Sequence, residues 1–172
     1  MNDDDIQPSR IEDDLTPGFD ILRPEKLASP VVFASPHSGR RYPVGFLAAS
    51  RLDDRAIRRS EDAFVDELFT SATEFGAPLI RAHFPRAYVD VNREPYELDP
   101  DMFRGDLPGW VNTTSPRVNA GLGTVAKIVA GGAEIYNGTL DFDEAVKRIE
   151  THYKPYHAAL QGLIDDALEA FG

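Results

Sequence analysis

The order of three short apolar runs, with a helix-like segment between the first two, constrains this chain more than its composition does. Val31-Val32-Phe33-Ala34 reads as a buried strand, and Leu79-Ile80-Arg81-Ala82 and Ala87-Tyr88-Val89-Asp90-Val91 read as two more. Between the first and second runs the residues carry a helix signal. Ser60 suits an N-cap, Glu61 and Asp62 suit the first turn, Phe64, Leu68, Ala72 and Phe75 form a stripe, and Gly76 can close the helix. Strand, helix and strand in this order predict an α/β fold with a mostly parallel sheet. A length of 172 residues suits one domain. The reading places that domain at 15–172, after an acidic, flexible arm at 1–14 that contains Asp3, Asp4, Asp5, Glu12, Asp13 and Asp14.

The second half of the chain is punctuated differently. Residues 94–121 are rich in Pro, Gly, Asp and Asn, and a loop of that length inside a domain is usually functional. Thr124 to Ala130 reads as a short helix stopped by Gly131-Gly132. Asp141 and Glu144 form a capping-box pattern ahead of a long stripe that runs through Phe142, Val146, Ile149, Tyr153, Tyr156, Leu160, Leu163 and Leu168. Pro155 falls inside the stripe, which predicts a kinked helix or two stacked pieces.

Charge and cysteine content narrow the chemistry. Twenty-nine acidic against 18 basic residues leave a net charge of −11. Such a surface repels nucleic-acid backbones and anionic membranes, so neither is expected as a partner. With no cysteine, a metal has to sit on His, Asp or Glu, which suits zinc or another divalent ion. The sequence has no run of eighteen apolar residues and no basic-then-apolar leader, from which a cytoplasmic location is expected.

The candidate site residues follow the predicted strand ends, where open α/β sheets bind ligands. His37, in Ser35-Pro36-His37-Ser38-Gly39, follows the first strand and could ligate a metal or simply occupy a turn. Glu61 and Asp62 could join it as ligands or could serve only the helix start. Arg86 could polarise a scissile carbonyl. Asn92 and Arg93 could clamp a carboxylate. Arg86 or Arg93 could equally form a structural network with Asp90. Gly121-Leu122-Gly123-Thr124-Val125-Ala126 matches part of a dinucleotide fingerprint, but no convincing strand precedes it, and a glycine turn explains it as well. His152 and His157 lie five apart, off the spacing that places two ligands on one helical face, and read as packing or polar-network residues.

Taken together, these residues resemble the N-formylglutamate amidohydrolase family. The resemblance runs from about Val31 to Gly172. It is carried by Ser35-Pro36-His37-Ser38-Gly39 with Tyr42-Pro43, Glu61-Asp62 with Phe64-Val65-Asp66, Phe84-Pro85-Arg86, Val89-Asp90-Val91-Asn92-Arg93, Glu97-Leu98-Asp99-Pro100, the Gly121-Leu122-Gly123 turn and Pro155-Tyr156-His157. It implies a three-layer α/β/α sandwich around a mixed, mostly parallel sheet, like that of the zinc carboxypeptidases. It also implies zinc on His37 and one of Glu61 or Asp62, carbonyl polarisation by Arg86, and a substrate carboxylate held by Asn92 and Arg93. The implied reaction is amide hydrolysis of an N-acyl amino acid. Its type case, a step of histidine degradation, converts N-formyl-L-glutamate to L-glutamate and formate. The family pattern continues into a further strand with an Asp-x-His-Ser-Met-Pro-like motif that supplies the third zinc ligand, and this sequence ends before it. A chain short of that ligand could bind an acidic small molecule without turning it over. His83 or His157 could substitute as the third ligand, and a sheet edge left uncovered invites a homodimer.

Overall fold

A computed structural model of the chain describes residues 9–11 and 15–172. Leu79–Ala82 (β5) is the central strand of a three-stranded sheet, because Leu79, Ile80 and Ala82 are all buried. Phe33–Ser35 (β3) pairs with it in parallel, and Phe19–Leu22 (β2) pairs with it antiparallel. A separate parallel pair joins Ser9–Ile11 (β1) to Arg41–Pro43 (β4). The rest of the predicted acidic arm lies outside the described residues. The result is a mixed α/β fold in which one of the two pairings of the larger sheet is antiparallel.

Two expected elements differ from what forms. Ala87–Val91 is buried throughout but forms turns, with Tyr88 N and Val89 N both donating to the Pro85 carbonyl. A short apolar run shows that a segment is buried without showing that it is extended. The predicted helix after Ser60 begins later and is broken. After the short helix Val44–Ala49 (α1), Val65–Leu68 (α2) is followed by a 3₁₀ turn at Thr70–Phe75, and Gly76 closes it at φ 76°. Phe64, Leu68 and Phe75 of the expected stripe are exposed, and only Ala72 is buried. Glu61 and Asp62 do not start a helix because both carboxylates are committed elsewhere. Ser60 belongs to the 3₁₀ turn Ile57–Ser60, and its hydroxyl accepts from Ala130 N (2.9 Å).

The chain enters α2 through Phe64 at φ 63°, a conformation that costs a side-chain-bearing residue about 1–3 kcal/mol. Beyond the single helical turn Pro116–Asn119 (α3), Thr124 to Ala130 is irregular rather than helical, with Lys127 N donating to Gly121 O. Gly123 is required for close packing, since a Cβ there would lie 2.2 Å from the Glu97 carbonyl oxygen.

The C-terminal stripe forms helix in pieces. Phe142–Arg148 (α4) runs into a π-helical turn at Ile149–Tyr153 and then into Lys154–Phe171 (α5). Pro155 lacks the N–H an α-helix would use, and the widened turn accommodates its ring. Asp141 is the N-cap of α4, but its side chain pairs with Arg104 while Glu144 pairs with Arg148, so no capping box closes. This helical stretch positions the turn segment Tyr88–Arg93. Arg148 donates to Tyr88 O (3.0 Å), His157 Nε2 to Val91 O (2.7 Å) and Tyr153 Oη to Arg93 O (2.6 Å). Among the described residues no helix is long and apolar enough to cross a membrane.

Candidate functional site

Ser35 ends β3, and the turn that follows delivers His37 to the edge of a cavity. The turn lies tight against the neighbouring chain end, because a Cβ on Gly39 would stand 2.0 Å from the Phe84 carbonyl oxygen. Ser38 fastens it to the next segment. Its hydroxyl donates to Asp62 O (2.9 Å) and accepts from Asp66 N (3.2 Å), while Asp62 N donates to His37 O (3.0 Å). Residues 37–38 and 61–66 are therefore one unit despite their separation in sequence.

The His37 side chain is 7% exposed and lies between two carboxylates. Nε2 is 2.9 Å from Asp90 Oδ1, and Nδ1 is 3.3 Å from Asp62 Oδ2. Burial by itself would push the Asp90 carboxyl up. The His37 hydrogen bond and charge, the Arg86 guanidinium and the Asn92 amide outweigh it and hold the group below its ordinary value. Asp90 is thus a carboxylate that can only accept, so Nε2 carries the proton. On the other side, Nδ1 and Asp62 Oδ2 would be two facing acceptors unless a proton or a cation stood between them.

Arg86 donates from Nε to Asp90 Oδ2 at 2.9 Å. Arg93 also lies near Asp90 (3.6 Å), but its Nε donates to Leu122 O and its Nη1 to Asn92 O. The Asn92 side chain is exposed. Glu61 is held differently from its neighbour. Arg58 grips both of its oxygens at 3.0–3.1 Å, and Tyr42 Oη donates to it at 2.5 Å. The Tyr42 phenol is pushed up by burial and then by the Glu61 carboxylate, so it remains a donor.

A cavity of about 260 Å³ opens beside these groups. Its polar wall comprises Arg59, Ser60, Glu61, Asp62, Arg86 and Asp90, and Leu122, Ala126 and Ile128 face them. Of the candidates read from sequence, Glu61, Asp62 and Arg86 line this cavity and His37 adjoins it through Asp62. Asn92 and Arg93 stand behind it, in contact with Asp90. Arg58 and Arg59 are not among those candidates, and Ser38 entered only as part of the motif around His37. The three-residue spacing of Arg58 and Glu61 was the available signal for one of them. His83 contacts Pro17 O and Asp20, and His157 contacts Val91 O, so neither turns to this cavity.

The donor set answers to part of a metal shell. An imidazole oriented by a carboxylate through one nitrogen, with the other nitrogen facing an acid, is the arrangement that accompanies metal-ligating histidines. His37 and Asp62 supply two donors, and among the described residues no group of three His, Asp or Glu side chains converges.

A family model described as N-formylglutamate amidohydrolase matches residues 29–172. A solved structure of N-formylglutamate amidohydrolase from Ralstonia eutropha JMP134 is similar to this chain, with 34% identity and a TM-score of 0.81. The match covers 90% of this chain and 54% of that one, so this chain spans about half the length of its structural relative. No curated protein matches.

Proposed function

This chain belongs to the N-formylglutamate amidohydrolase family, and from that premise we propose that its cavity takes an N-acyl amino acid for hydrolysis of the amide bond. N-formyl-L-glutamate, giving formate and L-glutamate, is the substrate the relation favours. In the proposal Arg86 uses the edge of its guanidinium not tied to Asp90 to hold the acyl carbonyl oxygen and to stabilise charge developing there. Asp90 keeps Arg86 aimed and fixes the His37 tautomer. Asn92 and Arg93 shape the segment that presents Asp90, and in the proposal the exposed Asn92 side chain and the Arg93 guanidinium hold a substrate carboxylate. The proposal includes a three-layer α/β/α sandwich of the zinc-carboxypeptidase type around the mixed sheet.

His37 through Nδ1 and Asp62 through its carboxylate would hold zinc or another divalent ion, with Glu61 kept in reserve by Arg58. Zinc in such a site acidifies a bound water and polarises a carbonyl. The observation that carries the metal reading is His37 Nδ1 lying 3.3 Å from Asp62 Oδ2 while Nε2 is oriented by Asp90. A second reading keeps binding and drops turnover. It draws on the donor count among the described residues, which is two where a catalytic zinc takes three.

The deciding measurement is zinc stoichiometry on the purified chain, with His37→Ala as control, followed by formate release from N-formyl-L-glutamate with and without chelator. The proposal expects close to one equivalent of zinc, lost in the variant, and chelator-sensitive release. Zinc uptake indifferent to His37 removes the metal assignment. Ligand binding without release at any zinc level selects the second reading.

A further inference from the structure

We infer that the cavity between α1 and α4 is a second ligand site, which takes a small monocarboxylate with an apolar body on Arg148 and Lys147. The cavity measures about 220 Å³ and shares no lining residue with the one beside His37. Pro43 ends β4, Phe46 and Ala49 come from α1, and Leu140 precedes α4; together they make its apolar wall. Tyr88 joins them from the turn segment. Glu144, Lys147 and Arg148 supply the polar wall, because residues three and four apart share one face of α4. The cavity is smaller than the roughly 300–1,000 Å³ of pockets for drug-sized ligands, so it suits a single ring or a short chain.

Arg148 is the residue that points to a ligand. Its side chain is 3% exposed. The guanidinium carbon lies 4.2 Å from the Tyr88 ring centroid and 5.5 Å from that of Phe46, so two of the lining rings fix its plane. Nε donates to Glu144 (2.9 Å), and Nη1 donates to Tyr88 O (3.0 Å) and Tyr136 Oη (2.7 Å). Nη2 makes no hydrogen bond among the described residues, and it is not sealed from solvent, so it opens onto the cavity that Arg148 lines. A nearly buried cation with a free nitrogen is best satisfied by an anionic acceptor. Lys147, exposed on the same wall, adds a second positive charge. Glu144 is the acid of this wall, and its Oε1 is already committed to Nε. Two cations against one acid favour an anion, and Phe46, Tyr88 and Leu140 receive its apolar body. Through its bond to Tyr88 O, the same guanidinium joins this cavity to the turn that presents Asp90.

The test is titration of the full chain with benzoate and with its near-isosteric neutral analogue benzamide. Calorimetry gives the affinities, and the Arg148 Nε–H signal in NMR spectra reports the place. Benzoate should bind about tenfold or more tighter than benzamide, the scale of a hydrogen bond to a charged group, and should shift the Arg148 signal. Ala49→Leu fills the cavity from α1 without removing a bond of the guanidinium, and should weaken benzoate by about tenfold or more. Lys147→Gln should weaken it by about twofold to fivefold, as loss of an exposed charge does. Equal affinity for the two ligands, or benzoate binding undiminished in Ala49→Leu, overturns the inference. So does benzoate that shifts His37 and Arg86 signals while leaving Arg148 unmoved, which places it in the other cavity. A chain that binds no benzoate at millimolar concentration overturns it as well. If Ala49→Leu does not fold, the Arg148 shift in the wild type decides. None of these outcomes bears on the N-acyl amino acid reading, which is tested at the His37 cavity.

Discussion

Asp90 and Glu61 are both nearly fully buried carboxylates on the same cavity, with side chains 3% and 4% exposed, yet they are satisfied in different ways. Glu61 is held by Arg58, three residues before it, and by Tyr42 in β4. Its pairing is a local staple that includes the Arg58 charge. Asp90 reaches 53 residues back to His37 while also taking Arg86 and the Asn92 amide. It joins the end of β3 to the turn segment that the helical stretch from Arg148 to His157 holds in place. A buried acid satisfied by its near neighbours fixes one turn, whereas one satisfied across the fold fixes the relative placement of several functional groups.

The largest expected effect comes from attacking the long-range cluster. Asp90→Asn leaves Arg86 and His37 without their common anion, and breaking a buried ion pair from one side costs about 3–5 kcal/mol. The urea midpoint of the variant measures this. The pH dependence has a definite sign. Asp90 titrates lower in the folded protein than its ordinary value of 3.8. Its stabilisation is therefore full above about pH 4 and is lost as pH falls through the depressed folded value. The wild type should lose stability along that acid limb more steeply than Asp90→Asn does. Parallel acid limbs would mean that Asp90 is no more than another buried acceptor.

Glu61→Gln should cost less, about 1–2 kcal/mol, because the amide oxygen still accepts from Tyr42 and Arg58 retains 15% of its side-chain surface for water. Measured in the same urea series, it sharpens the comparison if its loss is at most about half that of Asp90→Asn. Equal losses would erase the distinction between a local and a long-range carboxylate.

The parts of the fold that were legible in sequence are those governed by chain-local rules. β5, the Gly76 stop, the start of α4 at Asp141 and the interruption near Pro155 each follow from an apolar run, a glycine, a cap position or a missing N–H. The helix after Ser60 was not legible because Glu61 and Asp62 carry two meanings. The residues that favour a helix start are the same ones the site withdraws from it. Ala87–Val91 misled because burial on all sides selects apolar residues whether the backbone is extended or turned. Of the candidate residues, His37 follows a strand that forms, whereas Asn92 and Arg93 follow a run that is turned rather than extended. The wiring of the site was not legible, since the choice of His37 for Asp90, of Arg58 for Glu61 and of Ser38 for the 61–66 turn depends on contacts between distant segments.

The smallest effect on stability and the most direct test of the comparison come from Asp62, whose side chain is 55% exposed. Asp62→Asn should change the unfolding free energy by less than about 0.5 kcal/mol, as a surface substitution does. It nevertheless removes one of the two proposed zinc ligands, so zinc affinity should fall by at least the roughly tenfold that follows loss of even an outer partner of a metal ligand. Glu61→Gln should show the reverse balance, a measurable loss of stability with little change in zinc affinity, because its carboxylate is already occupied by Arg58. Zinc affinity that falls in Glu61→Gln and holds in Asp62→Asn would exchange the two roles. It would mean that Arg58 releases Glu61 when the ion arrives, and that the closed cluster rather than the exposed acid is the metal's partner.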